Sequence, residues 1–271
     1  MTVNPWLQPV SEPLAQVEPL PAHLDLWQQT LSWQPTAAQQ ALFQQLYEQI
    51  VTANKQLNLT RITTPEDFWE KHLWDSLSGL APWLADAEPS DALSSEASSE
   101  AAEPIRIIDI GTGGGIPGIP AAIALAPTHL TLVDATRKKI QFLQTLCQQM
   151  DLTAICIAER AETLARQPGH RKHYDLALVR AVGSAATCAE YALPFLKVGG
   201  QAVLFRGQWS PADTEDLIPV VDLLGGEITD LQSWQTPLTQ STRNCLFIHK
   251  YKPTPQEFPR AVGVPAKKPL T

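Results

Sequence analysis

Residues 105–134 read Ile105-Arg-Ile-Ile-Asp-Ile-Gly-Thr-Gly-Gly-Gly-Ile-Pro-Gly-Ile-Pro-Ala-Ala-Ile-Ala-Leu-Ala-Pro-Thr-His-Leu-Thr-Leu-Val-Asp134, and the fold follows from them. The apolar run Ile105 to Ile110 has the length and β-branched content of a buried strand. The glycine-rich turn Gly111 to Gly118 follows it, then a helix over Ile119 to Leu125 and a second strand over His129 to Asp134. Outward from this unit the pattern repeats. A helix is expected from Arg137 to Met150, with Ile140, Leu143 and Leu146 on one face. Further strands are expected over 153–158, 174–179 and 201–205, and a last one over Cys245 to Lys250. Strands alternating with helices imply an α/β protein with a parallel, doubly wound sheet.

Upstream, Pro35-Thr36 gives a start signal for a helix carrying Leu42, Phe43, Leu46, Ile50 and Val51. A second helix is expected from Pro65, after Thr64, through Phe68, Trp69, Leu73, Leu77 and Leu80. The domains read as a Pro/Gln-rich flexible arm over 1–25 and a helical preface over 26–84. An acidic Ser/Ala/Glu insertion covers 85–104, the alternating strand–helix domain 105–252 and a basic, proline-rich tail 253–271.

The chain has 271 residues, 28 acidic and 20 basic, for a net charge of −8, which on its face argues against a polyanionic partner. Division by segment reverses this. Residues 1–54 hold four acids and no lysine or arginine, and 85–104 hold six more acids; without those ten, 18 acids face 20 bases. The four cysteines are scattered, with no C-x-x-C pair, so neither zinc nor a disulfide framework is expected. No apolar run is long enough to span a membrane, and the start lacks a basic, then apolar, leader. The reading is a cytoplasmic monomer with no bound metal and no membrane partner.

Glycine is required where backbone takes positive φ or passes close to a ligand, and an acid ending the second strand can accept both hydroxyls of a ribose. Dinucleotides and S-adenosylmethionine both use such a turn. Gly113, Gly115 and Gly118 satisfy the dinucleotide spacing G-x-G-x-x-G. Against that reading, the turn begins at Gly111 directly after the strand, Asp109 stands two residues before it, and Pro117 and Pro120 suit poorly a helix start offering free amides to a pyrophosphate. The D-x-G-x-G-x-G form favours S-adenosylmethionine.

Further segments make the match specific: Asn58-Leu-Thr60, Lys71-His72-Leu-Trp-Asp75-Ser76, Ile108 to Pro120, Asp134-Ala-Thr-Arg-Lys-Lys139, Arg160-Ala161-Glu162, Arg180-Ala181 and Phe258-Pro-Arg260. Together, and in this order over about 36–268, they resemble the RsmG (GidB) family, bacterial enzymes that methylate N7 of a guanine in small-subunit (16S) ribosomal RNA. The Trp- and Gln-rich extended chain resembles a cyanobacterial member. The resemblance implies the class I S-adenosylmethionine-dependent methyltransferase fold, a Rossmann-like seven-stranded sheet. It also implies S-adenosylmethionine as cofactor, and small-subunit ribosomal RNA or the ribosomal particle as partner. It places Gly111 and Ile116 on the methionine and adenosine side, Asp134, Ala135 and Thr136 at the ribose, Ala161 and Glu162 at the adenine, and Arg180 at the mouth of the site.

Guanine N7 has an in-plane lone pair and no proton, so no catalytic base or nucleophile is expected, only positioning, with Arg180, Arg206 and His72 as candidates. The sequence agrees: there is no Asn/Asp-Pro-Pro-aromatic motif for an exocyclic amine and no Pro-Cys nucleophile for carbon methylation. The RNA contacts are expected from Arg137, Lys138, Lys139, His72, Arg180, Arg206, Lys250, Lys252, Arg260, Lys267 and Lys268. A methyltransferase of the same fold acting on protein or a small molecule is the alternative.

Overall fold

The structure, a computed structural model, describes residues 17–85 and 103–271. Seven strands form one sheet: β1 (Ile105–Ile110), β2 (Thr128–Asp134), β3 (Ala154–Ala158), β4 (Tyr174–Arg180), β5 (Leu196–Arg206), β6 (Gly226–Gln235) and β7 (Thr242–Lys250). Their order is β3-β2-β1-β4-β5-β7-β6. The first five are parallel, and β7 runs antiparallel to both β5 and β6. This is the class I methyltransferase fold, with the antiparallel pair at one edge of an otherwise parallel sheet.

The alternation of side chains along β1 builds both cores. Ile107 joins one apolar layer, while Ile108 and Ile110 join the other. The first layer is closed by α6 (Gly118–Ala124), α7 (Arg137–Gln149) and the N-terminal helices; the second by α8 (Ala161–Leu164), α9 (Ala185–Ala192) and α10 (Pro211–Leu223). From β1 the strand order runs outward to β2 and β3 on one side and to β4 and β5 on the other, so it switches between β1 and β4. The carboxyl ends of those strands therefore open a crevice there, the usual ligand position in such sheets.

The preface is part of the first layer. Helix α1 (Leu24–Leu31) and helix α2 (Ala37–Leu57) precede it, and α2 starts with Thr36 and Gln39 capping each other's backbone amides. The amide of Gln39 also donates to the carbonyl of Ile123 at 3.0 Å, fastening α2 to α6. The expected second helix is present but not uniform: α3 (Pro65–Phe68) runs into a π-helical turn (Trp69–Trp74) and then α4 (Asp75–Ser78), with α5 (Ala81–Leu84) beyond. Trp27, Phe43, Phe68, Trp69 and Trp74 are all buried between these helices.

Several expectations need correction. The flexible arm over 1–25 falls largely outside the described residues, as does the insertion at 86–102. In the last part of the arm, Val17 and Leu20 pack on the core and α1 already begins at Leu24, so the packed preface starts before 26. Strand β6 was not located by the sequence reading. Its apolar residues Ile228, Leu231 and Trp234 are three apart, which mimics a helix. A β-bulge between Ile228 and Asp230 adds one residue, so Ile228 and Leu231 nevertheless share a face opposite Ile248 and Leu246.

The tail is held down. Glu190 accepts two hydrogen bonds from the guanidinium of Arg260 on one oxygen pair and one from its amide, and the Arg171 guanidinium donates to the carbonyls of Thr254 and Phe258. Arg260 is thus engaged in holding the tail. Lys250, also expected at the RNA, is fully buried, its ammonium group donating to the carbonyls of Leu193 at 2.8 Å and Leu224 at 3.1 Å and meeting the Thr254 hydroxyl. It cannot reach a phosphate.

Burial, reinforced by Arg171 and Lys172, lowers Lys250 to about 7. An unfolded lysine titrates near ~10.4, so between those values the unfolded chain binds the extra proton and stability rises with pH. Urea midpoints of the wild type are expected to rise from pH 7 to 10 relative to those of Lys250→Met. Parallel profiles for the two proteins would contradict this.

Candidate functional site

The glycine turn is closed by one carboxylate. Asp109, at the end of β1 and 1% exposed, accepts a hydrogen bond from the Thr112 hydroxyl at 2.6 Å and one from the Gly118 amide at 2.9 Å, both on Oδ2. The turn is thereby folded back onto the strand that precedes it, while the Gly111 amide donates to the carbonyl of Val133 at 2.8 Å. Burial outweighs these hydrogen bonds and raises Asp109 to about 6, and its Oδ1 is buried without a partner. Gly111 and Gly115 have φ of +73° and +89°, and a Cβ at either would lie 2.5–2.6 Å from a side chain of Val182 or Ile119. Gly113, at φ +58°, differs: a Cβ there would meet nothing nearer than 4.0 Å, so its backbone borders open space.

Asp134 stands across that space at the end of β2. Its Oδ2 accepts from the Gly113 amide at 3.1 Å and its Oδ1 from the Thr136 amide at 2.8 Å. A carboxylate has about four acceptor positions, so two remain for a diol. Ala135 and Thr136 are exposed beside it, and Ile116 is 8% exposed under the turn. An open backbone cradle facing a strand-end acid fits a ribose-bearing cofactor. Glu162, expected with Ala161 at the adenine, has a buried and fully engaged Oε1. Its Oε1 accepts from Arg160 at 3.1 Å, from the Tyr191 hydroxyl at 3.0 Å and from the Gly263 amide at 2.8 Å. Burial alone would raise Glu162, but these donors outweigh it and hold its carboxyl below the usual range. The side chain therefore anchors the tail.

Arg180 ends β4 and points to the preface. One nitrogen donates to the carbonyl of Lys71 at 3.1 Å and to Asp75 Oδ2 at 3.0 Å; the other meets His72 Nδ1 at 3.0 Å. A guanidinium has only donors, so Nδ1 is the acceptor and Nε2 carries the proton, which it gives to the Thr60 hydroxyl at 2.8 Å. Burial, then the charge of Arg180, lowers His72 to about 3, so it is neutral at any physiological pH. The π-helical turn brings the Lys71 carbonyl, the His72 ring and the Asp75 carboxylate to one side.

Asp75 also holds Arg243, at 3.1 Å from its Nε. Arg243, the second residue of β7, escaped the sequence reading, because nothing local links it to Asp75, which lies 168 residues away. With Arg206 and Phe205 these groups line a cleft of about 380 Å³ beside the crevice. Arg180 and Arg206 are therefore brought to one opening, and His72, 7% exposed, lies behind it as a support for Arg180. Ala181, directly after Arg180, is held at φ +58°, a strained conformation for a non-glycine residue.

Residues 39–241 match the GidB family, described as rRNA small subunit methyltransferase G. The chain belongs to this family. It is 51% identical over 254 residues to the ribosomal RNA small subunit methyltransferase G of Trichormus variabilis, covering 93% of this chain and 98% of that protein. The protein of the same name from Synechococcus elongatus is 49% identical over 245 residues, covering 90% of this chain and 95% of its relative. The 93% coverage leaves too few residues outside the match to contain the whole 1–25 arm.

Replacing Asp109 by Ala leaves the Thr112 hydroxyl and Gly118 amide without their acceptor in a buried site, a loss of about 1–3 kcal/mol for each donor left unsatisfied. Chemical denaturation should show Asp109→Ala destabilised by at least about 2 kcal/mol; a midpoint equal to wild type would show that the turn closes without this carboxylate.

Proposed function

We propose that this protein transfers a methyl group from S-adenosylmethionine to N7 of a guanine in small-subunit ribosomal RNA, in the cytoplasm, without a catalytic base. The observation that carries this reading is the row of groups along the carboxyl edge of the sheet. The open glycine turn and Asp134 stand on one side of the crevice, and Arg180, Arg206 and Arg243 on the other.

When bound, S-adenosylmethionine supplies an electrophilic methyl group on a sulfonium. Gly111, Gly113 and Ile116 would line it, and Asp134 would accept its ribose hydroxyls. The acceptor base enters from the arginine side. Guanine N7 sits next to O6, an acceptor, and a guanidinium donor is suited to O6 while N7 stays free to attack. Desolvation and alignment then supply the rate, since no proton leaves N7. Asp75 carries the compensating charge for Arg180 and Arg243 and fixes their planes.

Support for an RNA substrate comes from the first turn of α7. Arg137, Lys138 and Lys139 place three cations at a helix N-terminus, where the helix dipole disfavours positive charge. Arg137 and Lys138 are exposed. Such a placement lowers helix stability and is explained by contact with phosphates, whose affinity depends on salt.

Incubation with methyl-labelled S-adenosylmethionine should label small-subunit RNA lacking this mark, and digestion should return the label as N7-methylguanosine; label on another atom or on protein would refute the specificity. Asp134→Ala should weaken cofactor binding by tenfold or more in calorimetry, and an unchanged affinity would refute the pocket. With His72 neutral and no base to titrate, single-turnover rates are expected to be flat from pH 6.5 to 8.5, above the Asp109 transition near 6. A log-linear rise over that range would reveal a general base.

A further inference from the structure

A second cleft, of about 530 Å³, adjoins Arg206 on the side away from Asp75, a volume within the range of small-ligand sites of about 300–1,000 Å³. Its aromatic wall is Trp209, half-buried in the β5–α10 connection. The ring is held by one hydrogen bond, on a backbone fixed on either side. The carbonyl of Gly207, two residues before it, accepts from the Asn244 side chain; Ser210, the next residue, caps α10 reciprocally with Asp213; and the indole Nε1 donates to the Thr214 hydroxyl at 2.8 Å. Here the one polar atom is satisfied at the edge, and the ring borders the cleft.

The remaining wall is mixed. Leu270 and Pro219 give apolar surface, and Arg206 shares the lining with the exposed carboxylates of Asp213, Glu215 and Asp216, of which Asp213 feels its charge. Arg206 lies 5.9 Å from the Trp209 ring centroid, with one nitrogen donating to the carbonyl of Gly183 at 2.8 Å. The other guanidinium nitrogens remain for an oxyanion. An indole face with a guanidinium beside it and acceptor carboxylates in the same lining suits a nucleotide: base against the indole, phosphate at the guanidinium, and base amino groups toward the acids.

We infer that Trp209 stacks an unpaired base of the RNA, next to the guanine that is methylated, and that Arg206 between the two clefts holds the connecting phosphate. This rests on the reading of ribosomal RNA as substrate. Stacking on an aromatic ring tolerates any base, so the subsite holds the strand open at the target without specifying sequence.

The test compares full-length wild type, Trp209→Ala and Trp209→Phe on small ribosomal subunits lacking the mark. Trp209→Ala should raise KM for the subunits about tenfold or more, the range of one aromatic–base stack. Trp209→Phe, which keeps an aromatic face but lacks the Thr214 hydrogen bond, should stay within about threefold of wild type, and all three should share the same melting temperature and S-adenosylmethionine affinity. The inference is overturned by an unchanged KM in Trp209→Ala, by a KM rise matched by lost cofactor affinity or melting temperature, or by Trp209→Phe failing as badly as Trp209→Ala. A wild type that methylates no RNA would refute the substrate reading and this inference with it; an active wild type with an unaffected Trp209→Ala refutes this inference alone.

Discussion

The buried carboxylate of Asp109 is the constraint from which the cofactor side of the molecule follows. It sits at the end of the central strand, in contact with water nowhere, and one of its oxygens ties the hydroxyl of Thr112 and the amide of Gly118 back to that strand. A charged group so placed is costly, as its rise to about 6 records. The return is geometric. With both ends of the turn fixed, Gly111, Gly113 and Gly115 must take left-handed backbone, and the amide of Gly113 is carried to within 3.1 Å of Asp134. A loop able to relax would not hold that edge open.

The proposed acceptor side depends on a different carboxylate. Asp75 comes from the helical preface, yet the two arginines it holds come from β4 and β7. The N-terminal helices are therefore not an appendage but one wall of the site. Their buried aromatic cluster and the α2–α6 fastening fix where Asp75 stands. Glu70, in the same π-helical turn, reaches the β6–β7 connection, accepting from the amides of Leu238 at 2.6 Å and Thr239 at 2.8 Å. Preface and antiparallel edge thus meet around the arginines.

Most of the fold was legible because its signals are local. The apolar runs of β1, β2 and β4, the cap at Thr36 and the glycine turn each announce themselves within a few residues, and the structure places them within one or two residues of expectation. Strand β6 was hidden because its bulge sets Ile228 and Leu231 on one face at a spacing of three, while Trp234, three further on, lies on the other. At the site, Gly111, Asp134, Arg180 and Arg206 were legible as residues that follow strands, whereas Arg243 and the partner roles of Asp75, Thr60 and Glu70 were not. Those depend on pairings across 100 residues or more, or on a π-helical turn that heptad reasoning does not foresee. Lys250 and Arg260 show the converse: a basic residue near the C-terminus suggests a phosphate contact until burial and a bonded carboxylate show that it holds the chain together.

The central claim is that this edge of the sheet delivers a methyl group to one guanine N7 of small-subunit RNA in the cell. Mass-spectrometric mapping of that RNA from a strain lacking the protein tests it most directly. The account predicts that a single N7-methylguanosine disappears, and returns when the gene is restored in wild-type form but not as Asp134→Ala. An unchanged set of N7-methylguanosines in the deletion strain would contradict it.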